Sequence, residues 1–141
     1  MRWAGFEFGT PYATLYGRVV VHPSIRKPPF WRTNAAWNQL LLSPLLMSPE
    51  SLPLYVRSIR EHNAQMLEAY PSNAYTLARH LSEVGDYLPL RFVYTSAEPL
   101  LQTERELIEE RFRCRVFDGY GQAERVVFSA ECECHTSHHL F

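Results

Sequence analysis

Residues 88–124 read LPLRFVYTSAEPLLQTERELIEERFRCRVFDGYGQAE, and this stretch decides the fold. Phe92, Val93 and Tyr94 form a compact apolar run, which predicts a strand over LPLRFVYTS. Thr103 followed by Glu106 has the spacing of a capping box, so a helix is expected to start there. Leu107, Ile108 and Phe112 then supply its apolar stripe, and the alternating charges of ERELIEERFRCR its solvated face. CRVFD reads as the next strand. Strand, helix and strand with a connection of this length make a βαβ unit with parallel strands and a right-handed crossover. The segments that follow the two strands, TSAEP and DGYGQAE, therefore leave the sheet at the same edge. In open α/β sheets that carboxyl edge is where ligands bind.

The second segment is chemically the richer. Two glycines around Tyr120 suit a backbone that turns sharply or approaches something closely. Tyr120 offers a flat face for a heterocycle, Asp118 can reach a ribose hydroxyl, and Glu124 can face a metal-bound phosphate. A nucleotide fits every part. The plainer alternative is a tight turn followed by a solvated carboxylate. Neither GxxxxGK[ST] nor GxGxxG occurs anywhere in the chain.

Upstream, GRVVVHP predicts a short strand at Arg18 to Val21, and RKPPFWRTN must be extended or looped around its paired prolines. Ser48 as N-cap, Pro49 at the first helical position and Glu50 in the first turn predict a helix from about Pro49 to about Ala64. Leu52, Tyr55, Val56 and Ile59 form its inner face. Ser72 reads as a further N-cap, opening a helix over Ala74 to Val84 with Leu77, Ala78 and Leu81 inward and Gly85 at its end. The fold class is α/β.

The chain has 141 residues with 46% hydrophobic and 21% charged residues, the balance of an ordinary globular protein. A net charge of −1 gives no electrostatic case for nucleic acid or an acidic membrane. The run from Leu40 to Met47 is broken by Ser43 and Pro44 and is too short to span a bilayer. MRWAGFEFGTPYATLYG lacks the apolar core of a secretory leader. Cys114, Cys132 and Cys134 make no disulfide framework, and a reducing, cytoplasmic location is expected. Lys27 is the only lysine. No repeat or Ser-His-Asp signature stands out. Both ends read as those of a fragment or truncated product.

YPSNAYTLARHLSE (70–83), the 88–124 stretch continued as RVVFSAECE, and PPFWRTNAAWNQLLLS (28–43) together resemble the middle of an adenylate-forming enzyme. The likeness is to the phenylacetate–CoA ligase-like group, which includes the CapK-like proteins. SAEP and YGQAE at their mutual spacing, with the following ECE, are its most specific parts. The resemblance implies an incomplete N-terminal domain of an acyl-CoA synthetase-like enzyme, which activates a small-molecule carboxylic acid with ATP and passes the acyl group to a thiol, usually of CoA. It implies that Ser96, Ala97, Glu98 and Pro99 line the adenine side. Asp118, Gly119, Tyr120, Gly121 and Gln122 would hold adenine and the α-phosphate region of ATP or AMP. Glu124 would ligate Mg²⁺ in catalysis, and Tyr70, Pro71 and Ser72 would border the acyl pocket.

The departures are as informative. Ala123 stands where the wider superfamily usually has Thr before the glutamate. The phosphate loop, the later ribose-binding aspartate and the C-terminal domain with its lysine have no counterpart here, so the isolated piece is expected to be inactive. Cys132, Cys134, His135, His138 and His139 are zinc ligand types, yet Cys-x-Cys-His is not the usual pairing. Partly buried thiols and exposed imidazoles are the alternative. Phe30, Trp31, Trp37 and Tyr55 could shape an aromatic acyl pocket or simply pack. The competing functional expectation is a non-catalytic remnant, or a small nucleotide- or zinc-binding module acting with a separately encoded partner.

Overall fold

The computed structural model describes the backbone of residues 7–121, 128–131 and 138–140. Eight strands form one mixed sheet. They are β1 (Tyr12–Leu15), β2 (Trp31–Asn34), β3 (Gln39–Leu42), β4 (Met66–Ala69), β5 (Phe92–Ser96), β6 (Arg115–Gly121), β7 (Phe128–Glu131) and β8 (His138–Leu140). Their order is β2-β3-β1-β4-β5-β6-β7-β8. The five central strands, β3-β1-β4-β5-β6, are parallel, while β2, β7 and β8 pair antiparallel at the flanks. The expected α/β class and the βαβ unit are borne out. Among the described residues, no helix is long and apolar enough to cross a membrane.

Three helices, α1 (Leu52–Glu61), α2 (Pro71–Glu83) and α3 (Gln102–Phe112), connect the parallel strands. Leu15, Leu42, Leu67, Val93 and Val116 point from the sheet into one cluster with Tyr55 and Ile59 of α1, Leu77 and Leu81 of α2, and Ile108 and Phe112 of α3. Strand alternation sends Met66, Phe92, Tyr94 and Phe117 to the opposite face, where they form a second buried cluster with Tyr12 against it. The rings of Phe92 and Phe117 meet edge-to-face at 5.9 Å.

Several expectations need correction. Residues Arg18 to Val21 are not a strand; the strand is the preceding Tyr12–Leu15. Val19 is exposed and Val21 buried, so this run of β-branched residues serves as a loop with one anchor. Strand β4 carries no sequence signal, because Met, Leu, Glu and Ala all favour helix; its neighbours on both sides make it extended. Helix α1 begins at Leu52, after a turn that Ser48 and Ser51 brace reciprocally. The Ser51 N–H donates to the Ser48 Oγ at 3.3 Å and the Ser48 N–H to the Ser51 Oγ at 2.8 Å. Helix α2 begins at Pro71, with Tyr70 rather than Ser72 as N-cap. Helix α3 begins at Gln102, and it is Glu104, not Glu106, whose carboxylate accepts an N–H, that of Leu101, at 3.3 Å. Positive φ angles at Gly85 (68°) and Arg113 (50°) end α2 and α3.

DGYG is neither turn nor loop. It continues β6, pairing first with β5 through Gly119 opposite Ser96 and then with β7. A Cβ on Gly119 would lie 1.9 Å from the Tyr94 hydroxyl and 2.6 Å from its Cζ. The glycine is there for close approach, and what approaches is the neighbouring strand's own tyrosine. Gly119→Ala should therefore cost at least about 1–3 kcal/mol in urea unfolding. Tyr94→Leu in the same chain should return part of that loss, whereas an additive double variant would show that the tyrosine is not the obstacle.

Candidate functional site

At the carboxyl edge of the sheet the structure brings together three of the segments singled out in the sequence. The register places Ser96 beside Gly119, so SAEP starts next to DGYG. The Ser72 N–H, in the first turn of α2, donates to Glu98 Oε2 at 3.1 Å, tying SAEP to Tyr70-Pro71-Ser72. A carboxylate suits this helix N-terminus electrostatically. The Tyr16 and Ser96 hydroxyls share a hydrogen bond of 3.1 Å, and the Tyr16 ring packs on Tyr70 at 5.1 Å. A Cβ on Gly17 would meet the Tyr70 ring at 2.9 Å, so the chain after β1 also runs close to this corner.

Ala97 has φ +70°, a left-handed conformation that L-residues adopt at a cost. The strain sits in the middle of SAEP, between the Ser96 and Glu98 hydrogen bonds that hold it. Strain of this kind tends to be retained where a loop must present its backbone in one way. Ala97 and Glu98 form a bend, and Pro99 follows exposed.

Asp118 is fixed from two sides. Its Oδ1 accepts the Thr95 hydroxyl at 2.7 Å, and its N–H donates to Glu131 Oε2 at 3.1 Å. Both carboxylate oxygens of Glu131, on β7, accept from Arg105 Nη2, at 2.8 and 2.9 Å. Arg105 also donates to the Val116 carbonyl at 2.8 Å, and the Val116 N–H donates to Glu109 Oε1 at 2.9 Å. Both members of the Arg105–Glu131 pair are largely buried. Helix α3 thereby clamps β6 and β7 to each other. Asp118 alternates with Gly119 along β6, so Tyr120 falls on the same face as Asp118, with about half of its surface (51%) exposed. Gly121 closes β6.

On the other face of the sheet, Glu68 of β4 stands beside Thr14 of β1 and Tyr94 of β5. Burial holds its carboxyl above the ordinary value, opposed by Arg18 and by the Tyr16 hydroxyl. Burial, with Glu68 and Asp118 nearby, pushes the Tyr94 phenol up to about 12. Burial and Glu68 raise Tyr16 as well. Sequence reasoning did not single out Glu68, Tyr16 or Arg105. Only Glu131 left a trace, as the first residue of ECE.

The remaining candidates separate. Gln122, Ala123, Glu124, Cys132, Cys134 and His135 lie outside the described residues, while His138 and His139 belong to β8. Among the described residues, no group of three His, Cys, Asp or Glu could hold a metal ion. Phe30 and Trp31 each pack against Tyr55 of α1, whose hydroxyl donates to the Ser43 carbonyl at 2.7 Å. Trp37 is exposed beside Phe8. The four aromatic residues form core and surface, not one pocket.

Two substitutions test this geometry. Arg105→Ala strands a largely buried carboxylate and should lower stability by about 3–5 kcal/mol, with Glu131→Gln restoring part of it in the double variant. Stability unchanged by Arg105→Ala would remove the clamp. Ala97→Gly relieves the positive φ and should raise the thermal midpoint, by the equivalent of about 1 kcal/mol. A lower midpoint would mean that the loop needs its methyl group.

No family model matches the chain. It is 27% identical to Protein CapK of Staphylococcus aureus over 130 residues, which is 90% of this chain and 29% of that protein. A 2-hydroxyisobutyryl-CoA ligase, solved in complex with 2-HIB-AMP and CoA, shares the fold with a TM-score of 0.60 at 18% identity. That match covers 94% of this chain and 30% of the ligase. VinN gives a TM-score of 0.56 at 20% identity over 90% of this chain and 30% of its own. The chain thus spans somewhat under a third of the length of these relatives. The resemblance read from SAEP, YGQAE and ECE is borne out: over nearly its whole length the chain is CapK-like in sequence and has the α/β fold found in adenylate-forming CoA ligases.

Proposed function

We propose that this chain forms the adenine-facing and acyl-facing corner of an adenylate-forming site, in an ATP-dependent ligase that activates a carboxylic acid. The observation that carries the reading is the convergence of SAEP, DGYG and Tyr70-Pro71-Ser72 at one sheet edge, through the Ser96–Gly119 register and the Ser72–Glu98 hydrogen bond. The half-exposed ring of Tyr120 supplies a stacking face for adenine beside the SAEP backbone. Asp118 is held by Thr95 at its carboxylate and by Glu131 at its backbone N–H, which suits a positioning role. In the reaction a carboxylate oxygen of the acid attacks the α-phosphorus of ATP and pyrophosphate leaves. The acyl group then passes from the adenylate to a thiol, and AMP leaves. The protein's part is orientation and stabilisation of the developing charge.

Mg²⁺ accompanies ATP in this chemistry and neutralises its phosphates. Among the described carboxylates at this corner, Glu98, Asp118 and Glu131 each already accept a hydrogen bond. Glu124 is the carboxylate that the sequence adds, and it is the residue proposed to face the metal. The CoA-type acceptor rests on the relatives: a neighbour in fold is a CoA ligase solved with an acyl-AMP and CoA. The chain's only lysine, Lys27, sits exposed in the loop between β1 and β2 and belongs to none of the three converging segments. A catalytic lysine and a phosphate loop are therefore proposed to come from outside these 141 residues, and the chain to work as part of a larger assembly.

Calorimetric titration of the purified chain with AMP and with ATP–Mg²⁺ tests the reading. Binding weakened at least about tenfold by Tyr120→Ala is the expected result. Glu124→Gln should weaken ATP–Mg²⁺ and leave AMP unaffected. Failure of a folded chain to bind either nucleotide would remove the adenine site from it.

A further inference from the structure

The strand order holds a second piece of information. From β1 the chain steps to β3 on one side, then crosses back over β1 to reach β4 on the other, and continues in that direction through β5 and β6. The order therefore reverses between β1 and β4. In open α/β sheets the crevice outside the carboxyl ends at such a reversal is the place where ligands bind. Beside that reversal, reaching from β4 across β1 to β3, lies a cavity of about 120 Å³ lined by Thr14, Tyr16, Arg18, Val20, Gln39, Leu42 and Glu68. Tyr16 is its shared wall with the candidate site, since the Tyr16 hydroxyl bonds Ser96 and the Tyr16 ring packs on Tyr70.

Glu68 is an expensive residue for this position. It occupies the middle of a central strand, with Thr14 and Tyr94 as its register partners. A carboxylate withdrawn from water there costs free energy unless something pairs with it. Among the described residues the ion pairs do not include Arg18 with Glu68, so Arg18 acts on it from a distance. The Tyr16 hydroxyl, which also bonds Ser96, can offer it at most one proton, whereas a carboxylate has about four acceptor positions. Gln39 is turned elsewhere, its Nε2 donating to Thr14 Oγ1 at 3.3 Å. Acceptor capacity therefore faces the cavity. The volume is less than the roughly 150 Å³ of a cavity that takes benzene, and corresponds to about four waters. A short aliphatic chain fits it better than an aromatic ring.

We propose that this cavity recognises a hydrogen-bond donor, an ammonium or a hydroxyl, on a short aliphatic acid, and that Glu68 is the residue that reads it. The acid's carboxylate would then point past Tyr16 toward Ser96 and Gly119. The proposal rests on the adenylate-forming reading for the fate of that carboxylate, but the recognition step stands on the cavity alone.

Three acids with the same three-carbon chain separate the possibilities: β-alanine carries an ammonium, 3-hydroxypropanoate a hydroxyl, and propanoate neither. Each is titrated into the purified 141-residue chain and followed by calorimetry and by NMR shifts, with circular dichroism as the check on folding. β-Alanine or 3-hydroxypropanoate should bind at least about tenfold more tightly than propanoate. Glu68→Ala should abolish the advantage. The isosteric Glu68→Gln, which leaves the cavity's shape intact, should abolish it for the ammonium and keep part of it for the hydroxyl. Three equal affinities, no binding of any acid by the folded wild-type chain, or an advantage that survives both variants would overturn the proposal. AMP titrations on the same samples keep the two readings apart. Acid discrimination without AMP binding would sink only the nucleotide reading, and AMP binding without acid discrimination only this one.

Discussion

The contact on which the rest of the corner depends is that between Tyr94 and the bare Cα of Gly119. Two adjacent parallel strands cannot choose their offset freely when one carries a ring that fits only where its neighbour has no side chain. Shifting β6 by one residue would drive Tyr94 into Asp118 or Tyr120 and send Val116 out of the helix-side core. The fit therefore sets which residues of β5 and β6 reach the carboxyl edge together. Ser96 stands beside Gly119 as a result, and everything at the edge follows from that placement. SAEP starts where Tyr16 can hold it, Glu98 reaches α2, and Tyr120 projects just beyond the last β5 residue.

A register needs a second restraint to survive at the flank, where β6 leaves β5 and pairs with an antiparallel strand. Arg105 provides it. One guanidinium holds a β6 carbonyl and a β7 carboxylate, and that carboxylate holds a β6 N–H. Burial makes each of these contacts strong and makes the loss of any one costly. The price of rigidity is thus paid at the rim of the site, in the helix that also packs Ile108 and Phe112 into the core. A site that orients substrate rather than reacting covalently with it benefits from such stiffness.

The legible parts of the sequence were those governed by local rules. The strand at Phe92–Ser96, the inner faces of α1 and α2 and the parallel crossover follow from periodicity, whereas the capping residues lie two or three positions from those expected. DGYG was legible in its need for close approach but not in its conformation, because the object approached lies on another strand. Strands β1 and β4 were invisible for a related reason. MLEA carries little strand propensity and YATL is too short and mixed to stand out, and each is extended with a paired strand on both sides. The opposite error at Arg18–Val21 has the same cause: a run of three valines looks like a strand until Gly17 must slip past the Tyr70 ring. Glu68 escaped notice because a glutamate in a helix-like tetrapeptide reads as solvated surface.

These misses coincide with the place where the fold reverses direction. Strands β1 and β4 are the pair between which the strand order turns back, and Tyr16 and Glu68 end up in the crevice between them. The two faces of the sheet consequently have different tasks. One packs the three helices on an apolar core that gives way to polar groups, Thr95 and Asp118, toward the carboxyl edge. The other keeps polar side chains, Thr14 and Glu68, in the middle of central strands, next to tyrosines whose phenols burial holds protonated. A sheet selected only for stability would place apolar residues on both faces of its central parallel strands. Polar groups retained there cost stability on this face, and the proposed recognition of an acid gives them a use.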